Sequence, residues 1–279
     1  MLREADERPS GMRPLGLNIR DLVIDYPARR GGAKTRAVDG VNLRLDRGEF
    51  VGIVGESGSG KSSIANAIMG LASVTSGEIS LGDTDLTALR GKRARHARRA
   101  LQLVMQDPFE ALDPHLSVLR LVEEPLIVHK MGRSKQERRS RVREALEQVG
   151  LSPAEDFEGR RPHELSGGQR QRVCVAAALI VNPDVVIADE PVSMLDVSVR
   201  AGVLHMLDAS RRRGNAVLMI THDLPTAAAF CDRLIVMHQG RIVEEGPSLR
   251  VVQDPSHQYT RELLDATPAL GAHSPSAGS

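Results

Sequence analysis

Hydrophobic positions along the chain predict elements of two kinds. Six short runs are continuously apolar or alternate between apolar and polar residues, which is the pattern of β-strands. These runs fall at residues 17–26, 41–45, 50–54, 77–83, 185–189 and 216–220. The last two are separated by a helical pattern at 198–213, and strands that alternate with helices predict a parallel α/β sheet. The first three predict a β-rich amino-terminal part.

Residues 107–162 show helical periodicity and few strand signals, so they predict a mostly helical subdomain. Capping residues define one helix within it. Ser134 and Glu137 have the spacing of a capping box, and Gly150 ends the helical pattern. Its predicted apolar face consists of Val142, Ala145, Leu146 and Val149.

The two ends of the chain lack these patterns. Residues 1–16 predict a flexible segment without a secretory signal, because charges begin at Arg3 and no apolar stretch follows. The final residues, 271–279, predict a disordered tail. The longest apolar run, 173–181, is far shorter than the roughly 20 residues that cross a bilayer, so the chain is predicted to be cytosolic.

Composition narrows the classes of function. The 279 residues are 41% hydrophobic and 26% charged, which is typical of a soluble globular protein. Aromatic residues make up 2% and the net charge is +1, so neither stacking platforms nor a basic field is available to bind nucleic acid. Cys174 and Cys231 lie far apart in the sequence and are predicted to be small buried hydrophobes without a metal or redox role.

The segment GESGSGKS at 55–62 matches the pattern GxxxxGK[ST] of a phosphate-binding loop. Its glycines allow backbone conformations that bring N–H groups against phosphate oxygens. Lys61 is predicted to reach the β- and γ-phosphates, and the Ser62 hydroxyl to bind magnesium. The alternative is a flexible turn, which the strand before the loop and a helix predicted at about 60–70 disfavour.

Polar residues follow two predicted strands where a parallel sheet places its ligands. Asp189 ends one strand and is predicted to hold the metal, while Glu190 beside it is predicted to act as general base toward the attacking water. His222 follows the next strand and is predicted to contact the γ-phosphate. The alternatives are an acidic pair that caps the next helix and a structural histidine.

A second anion site is predicted at LSGGQRQRV, residues 165–173. Ser166 and Gln169 have capping-box spacing, so an ordinary helix start is the alternative. Gly167 and Gly168 would each cost about 1 kcal/mol relative to alanine in a first helical turn, which favours a close approach of bare backbone to a ligand. Because the first loop already encloses its own nucleotide, the second site is predicted to act on a nucleotide held by another chain.

Together these motifs resemble the ATP-binding subunit of an ABC transporter over residues 17–255. The residues that carry the resemblance are 55–62, Gln106 in VMQDP, LSGGQ, VVIADE, SMLD at 193–196 and His222. The resemblance implies an α/β fold with a P-loop NTPase-type core, an antiparallel β subdomain and a helical subdomain. It also implies that two subunits sandwich two ATP molecules with Mg²⁺.

The resemblance assigns roles position by position. It implies nucleotide contacts by Tyr26, Gly55, Glu56, Ser57, Gly58, Ser59, Gly60, Lys61, Ser62, Ser63, Gln106, Ser166, Gly167, Gly168, Gln169 and Asp196. It implies magnesium contacts by Ser62, Gln106 and Asp189, and catalytic roles for Lys61, Glu190 and His222. Met194 stands where the family usually has alanine and Ser63 where it usually has threonine, and neither change removes a catalytic group.

Three stretches resemble importers of oligopeptides, dipeptides and nickel: 106–118, 190–204 and 254–268. In that subfamily two ATPase chains, usually non-identical, work beneath two transmembrane permease subunits, and an extracytoplasmic solute-binding protein delivers the solute. The chain is therefore expected at the cytoplasmic face of the membrane, with residues 256–279 as a subfamily-type carboxyl-terminal segment. The cysteine cluster that some relatives use for an iron–sulfur centre is missing from the sequence, so no such centre is predicted.

A soluble ABC-type ATPase is the alternative class. It could serve a cytosolic enzyme complex of the phosphonate-cleaving kind. DNA-repair or ribosome-acting relatives are disfavoured by the single nucleotide cassette and the low net charge. The basic stretch at 90–100 leaves two interpretations open, a solvated helix face or a contact with anionic lipid.

Overall fold

The computed structural model describes residues 16–27 and 34–266. The predicted disordered tail and all of the predicted flexible segment except Gly16 lie outside these residues. Within the described part, no helix is both long and apolar enough to span a membrane.

Ten strands form two sheets within the described residues. They are β1 (Leu17–Tyr26), β2 (Thr35–Leu45), β3 (Phe50–Val54), β4 (Ser76–Leu81), β5 (Thr84–Asp85), β6 (Leu101–Val104), β7 (Val185–Asp189), β8 (Ala216–Thr221), β9 (Arg233–His238) and β10 (Arg241–Pro247). The first sheet is antiparallel in the order β2-β1-β4-β5. The second has the order β10-β9-β3-β8-β7-β6, and its strands are parallel except β10. The predicted parallel α/β sheet is therefore confirmed, as is the β-rich amino-terminal part.

Eleven α-helices lie between or after the strands within the described residues. They are α1 (Lys61–Ile68), α2 (Gly91–Ala97), α3 (Pro108–Ala111), α4 (Val118–Val128), α5 (Lys135–Gln148), α6 (Glu155–Glu158), α7 (Gly167–Leu179), α8 (Val197–Arg212), α9 (Leu224–Phe230), α10 (Ser248–Gln253) and α11 (Gln258–Asp265). Helices α3 to α6 follow one another without an intervening strand, in the region predicted to be helical.

Helix α5 begins as its sequence predicts, with one difference. The Ser134 hydroxyl accepts a hydrogen bond from the Glu137 backbone N–H at 3.1 Å. The Glu137 carboxylate, however, accepts from the backbone N–H of Arg133 and not from that of Ser134, so the reciprocal half of the capping box is displaced by one residue. The apolar face is buried as predicted, and Gly150 has the positive φ of a helix-ending glycine.

The parallel sheet is buried on both faces. Along β8, Leu218 and Ile220 face a core shared with α1 and the antiparallel sheet, whereas Val217 and Met219 face a second core. That second core includes α7 and α8, and α4 and α5 pack on α7. Burial on both faces explains why the strands of this sheet are continuously apolar.

Both cysteines are free and buried, and burial raises the pKa of each thiol. The prediction that they are buried is therefore confirmed. The basic stretch forms α2 and a short 3-10 turn, and none of its residues is fully buried. Arg98 nevertheless lies against Gly70, where an added Cβ would meet its guanidinium at 2.5 Å.

Candidate nucleotide-binding and catalytic site

The phosphate loop connects β3 to α1 and packs between two other strands. A Cβ added to Gly55 would lie 2.2 Å from the Met237 carbonyl oxygen, and one added to Gly60 would lie 2.3 Å from the Ala37 carbonyl oxygen. Both glycines also have positive φ angles, 154° and 104°. The backbone of β9 leaves no room for a Cβ at Gly55, and the backbone of β2 leaves none at Gly60. Glycine is therefore required at both positions by protein packing as well as by the approach of a phosphate.

Lys61 is held inside the loop. Its side chain is buried, with 6% of the residue exposed, and Nζ donates to the carbonyl oxygens of Gly55 at 2.7 Å and Glu56 at 2.6 Å. Burial lowers the pKa of the ammonium, while the carboxylates of Glu190 and Asp189 act in the opposite direction. The loop therefore presents a preorganised cation whose charge is balanced by nearby carboxylates.

Asp189 and Ser62 face each other at the end of β7. The Ser62 hydroxyl donates to Asp189 Oδ1 at 3.2 Å. Burial raises the pKa of Asp189, and the neighbouring Glu190 charge adds to this rise, while the hydrogen bond from Ser62 and the charge of Lys61 oppose it. Burial makes the Asp189 carboxylate costly to ionise, and a nearby cation stabilises its charge. Such an environment suits a metal ligand.

Glu190 is held in place by the neighbouring strand β8. Its backbone N–H donates to the Ile220 carbonyl at 2.8 Å, and its φ of 47° is unusual for a residue other than glycine. Glu190 Oε1 lies 2.8 Å from His222 Nδ1. The Glu190 side chain is 13% exposed and that of His222 is 64% exposed. Glu190 thus combines a strained backbone with a carboxylate held beside the solvent-exposed His222. These features are typical of a residue that acts on a ligand.

Lys61, Ser62, Glu190 and His222 line one cavity of about 370 Å³, whereas Gly55 and Asp189 do not line it. It is lined by Ala37, Ser57, Gly58, Gly60, Lys61, Ser62, Ser63, Gln106, Glu190 and His222. Nine of these ten are residues that the sequence predicts for the site. Ala37 is the exception, because nothing in its sequence context distinguishes it from other residues of β2.

Tyr26 lies at the end of β1, and its hydroxyl donates to Ser63 Oγ at 3.3 Å. Its side chain does not line the cavity, and 37% of the residue is exposed. The structure thus brings Tyr26 to the edge of the loop. Its predicted stacking on adenine stays a prediction.

The second predicted anion site does not line the cavity. None of Ser166, Gly167, Gly168 and Gln169 is among the lining residues. Ser166 caps α7 with a complete capping box: its hydroxyl accepts from the Gln169 N–H at 3.2 Å, and the Gln169 side chain accepts from the Ser166 N–H at 2.9 Å. A Cβ on Gly168 would lie 2.6 Å from Val199 Cγ1. Packing against α8 therefore accounts for Gly168. A Cβ added to Gly167 would meet nothing within 4 Å, so of the two glycines Gly167 is the one that favours close approach of a ligand.

Asp196 and Met194 lie just before α8 and are exposed. Asp196 precedes α8 as its N-cap, without a side-chain capping bond, and 59% of Met194 is exposed. Neither lines the cavity around Lys61.

Arg170 connects the segment after Gln106 to helix α7. Its guanidinium lies over the Phe109 ring, 4.0 Å from the centroid, and its Nε donates to the Pro162 carbonyl at 2.6 Å. The segment after Gln106 is therefore in direct contact with α7, which begins at the second predicted anion site.

The donors at the cavity fit magnesium better than a metal held by protein alone. Within residues 16–27 and 34–266, no group of three or more His, Cys, Asp and Glu side chains is arranged to hold a metal ion. Ser62, Asp189 and Gln106 instead offer hydroxyl, carboxylate and amide oxygens. Magnesium prefers oxygen ligands and is commonly bound by one or two carboxylates together with substrate phosphates.

A family model described as ABC transporter matches residues 38–193, more than half of the chain. The chain belongs to the ABC transporter family. Two solved structures of one ATP-binding cassette, MJ0796, superpose with a TM-score of 0.75, each covering 83% of this chain and 98% of its own. One, 33% identical, is a dimer in a post-hydrolysis state bound to ADP and Pi, and the other, 34% identical, is a dimeric bacterial ABC transporter cassette. This ABC chain has the fold of that ATP-binding cassette and is an ATPase.

Named relatives of this ABC chain include import proteins. The glutathione import ATP-binding protein GsiA of Pectobacterium atrosepticum is 43% identical over 94% of the chain, which spans 42% of that relative's length. A putative peptide import ATP-binding protein of Brucella ovis is 43% identical over 91% of the chain and 78% of its own length. The oligopeptide transport ATP-binding protein OppF of Salmonella typhimurium is 40% identical over 92% of the chain and 78% of its own length.

Proposed function

We propose that this chain is the ATP-binding and ATP-hydrolysing subunit of an ABC importer for peptides or a related small solute, such as a nickel chelate. The observation that carries the proposal is that the LSGGQ segment, predicted as a second anion site, does not line the cavity that contains Lys61. The names of the relatives supply the direction of transport and the solute class. The alternative of a soluble ATPase serving a cytosolic enzyme complex is not favoured by these names.

In this proposal the cavity binds ATP and Mg²⁺. Backbone N–H groups of residues 55–60, except the Glu56 N–H that donates to the Tyr259 hydroxyl, and the Lys61 ammonium bind the phosphates. Ser62, Asp189 and Gln106 hold the metal, whose chemistry there is to neutralise charge on the phosphate oxygens. Tyr26 stacks on the adenine. The ATP-binding domain spans residues 17–255, with the helical subdomain at 107–162, and is followed by the subfamily-type carboxyl-terminal segment at 256–279.

Glu190 is the general base in this proposal. Its carboxylate is fixed by the His222 ring at 2.8 Å and by the backbone bond to Ile220, so it can accept a proton from a water placed for attack on the γ-phosphate. His222 is exposed toward the cavity and can contact the γ-phosphate while it orients Glu190.

Ser166 to Gln169 and Asp196 complete the site of a second ATPase subunit, which in the importers that this chain resembles is usually a non-identical chain. ATP binding closes the two subunits, and hydrolysis reopens them. Gln106 and the helices that follow it pass the closure to two transmembrane permease subunits, and Arg170 supports this route through its contacts with Phe109 and Pro162. The chain then lies peripherally at the cytoplasmic face of the membrane, and an extracytoplasmic solute-binding protein is an indirect partner.

Replacing Ser166 with alanine tests the composite site. We expect hydrolysis by the assembled transporter to fall at least about tenfold, because a donor to the partner's γ-phosphate is lost where charge develops. ATP binding by the isolated chain should change less than about twofold, since Ser166 does not line the chain's own cavity. Steady-state ATPase assays and ATP titrations measure the two quantities.

Ser134→Ala is a matched control for this variant. Ser134 caps α5 through a bond to the Glu137 N–H at 3.1 Å, nearly the same length as the Ser166 bond to Gln169 at 3.2 Å. Both variants lose a cap worth about 1 kcal/mol, so they should lose similar stability. If S166A and S134A also had equal effects on hydrolysis, Ser166 would be only a helix cap.

A further inference from the structure

Helix α11 lies against the phosphate loop from the far end of the chain. The Tyr259 hydroxyl accepts a hydrogen bond from the Glu56 backbone N–H at 3.1 Å, across a sequence separation of 203 residues. Tyr259 is buried, with 6% exposed, and its ring packs against His238 with a centroid distance of 4.0 Å. The family match ends at residue 193, so this helix lies outside the matched region.

Glu244 anchors the amino-terminal end of α11. This buried carboxylate on β10 accepts hydrogen bonds from the Ser256 N–H at 2.8 Å, the Ser256 hydroxyl at 2.8 Å and the His257 N–H at 3.0 Å. Burial alone would raise the pKa of Glu244, but hydrogen bonds, including those from Ser256 and His257, outweigh it and lower the pKa to about 2. The carboxylate therefore stays ionised and holds α11 where Tyr259 can reach the loop.

The contact fixes one particular peptide group. The Gly55 carbonyl and the Glu56 N–H are the two ends of the same planar unit. The carbonyl accepts from Lys61 Nζ at 2.7 Å, and the N–H donates to Tyr259. The orientation of this unit is thus set from both ends, and donation by the N–H also polarises the carbonyl toward a stronger bond with Lys61.

We propose that Tyr259 is a positioning residue of the ATP site: through the Gly55–Glu56 peptide group it orients Lys61 for the nucleotide phosphates. This inference rests on the proposed assignment of residues 55–62 as the phosphate-binding loop. It makes the carboxyl-terminal segment part of the nucleotide site, although Tyr259 itself does not line the cavity.

Tyr259→Phe tests the proposal, because it removes the hydroxyl and retains the ring against His238. In the full-length chain we expect the Kd for ATP to rise roughly threefold to tenfold, the net worth of one neutral hydrogen bond. The KM for ATP should rise by the same factor and kcat should stay within about twofold, because the groups around Glu190 are untouched. Calorimetric titration with ATP and steady-state assays measure these values.

Hydrogen exchange of the Glu56 amide supplies a readout that does not depend on nucleotide. Its exchange should be faster in Y259F than in the wild-type chain, whereas Asp265→Asn, on the exposed end of α11, should change neither exchange nor the Kd. Glu244→Ala retains the Tyr259 side chain but removes the anchor of α11, so it should also raise the Kd. This second variant decides the matter if Y259F does not fold.

Unchanged Kd and unchanged Glu56 exchange in Y259F would overturn the inference. So would a lowered melting temperature accompanied by equal losses in kcat and kcat/KM. A wild-type chain that does not bind ATP would contradict the proposed function instead, and the exchange rate of the Glu56 amide would still show whether the contact exists.

Discussion

Replacing Glu190 with glutamine is expected to lower kcat by about a hundredfold to ten-thousandfold, the contribution of a positioned general base. Glutamine has the size of glutamate and can still hydrogen-bond His222, but it cannot accept the proton of the attacking water. The substitution also preserves the backbone bond to Ile220 and demands the same positive φ as the native residue. ATP binding should therefore stay within about threefold of wild type, since no phosphate contact is removed.

Single-turnover and steady-state ATPase assays, together with an ATP titration, measure these effects. Asp265→Asn, on the exposed end of α11, is the control for loss of one carboxylate and should behave as wild type. Near-normal turnover in E190Q would remove Glu190 from the role of base. A parallel loss of ATP affinity would instead place the residue in binding.

Replacing Lys61 with alanine is expected to weaken ATP binding by about a hundredfold, because charge-assisted hydrogen bonds to phosphate are each worth about 1.5–3 kcal/mol. Lys61 is the buried cation of the loop, and its bonds to Gly55 and Glu56 hold it there. Its positive charge also balances Asp189 and Glu190.

Direct titration with ATP measures this loss, and circular dichroism shows whether the fold survives. Lys135→Ala, at the exposed start of α5, removes the same side chain from a position far along the sequence from the loop and should leave the affinity unchanged. If K61A bound ATP as tightly as K135A did, Lys61 would have no phosphate contact.

Much of the candidate site follows from the sequence because local patterns determine it. The apolar runs of β3, β7 and β8 identify the buried strands, and parallel strands present their carboxyl-terminal ends at one edge. This places Lys61, Glu190 and His222 around one cavity, as predicted. The GxxxxGK[ST] spacing likewise predicts both the loop and the helix that follows it.

Features that depend on distant packing do not follow from the pattern. Strand β6 has only four residues, too few for a periodicity to identify it, yet it leads directly to the Gln106 segment. The reason for Gly168 is Val199 on another helix, and no local rule predicts that contact. The Tyr259 bond to Glu56 depends on where β9, β10 and α11 lie, although the stretch around Tyr259 is one of the three that indicate the importer subfamily.

The central claim, that this ABC chain powers an importer, is tested most directly by identifying its partners. The chain is tagged in its native cell, purified gently in detergent, and its companions are identified by mass spectrometry. If the chain powers an importer, we expect the eluate to contain two multi-span membrane proteins, a second ATPase chain and an extracytoplasmic solute-binding protein. Only soluble enzymes or nucleic-acid-binding proteins in the eluate would contradict the transport function and leave the ATPase chemistry standing.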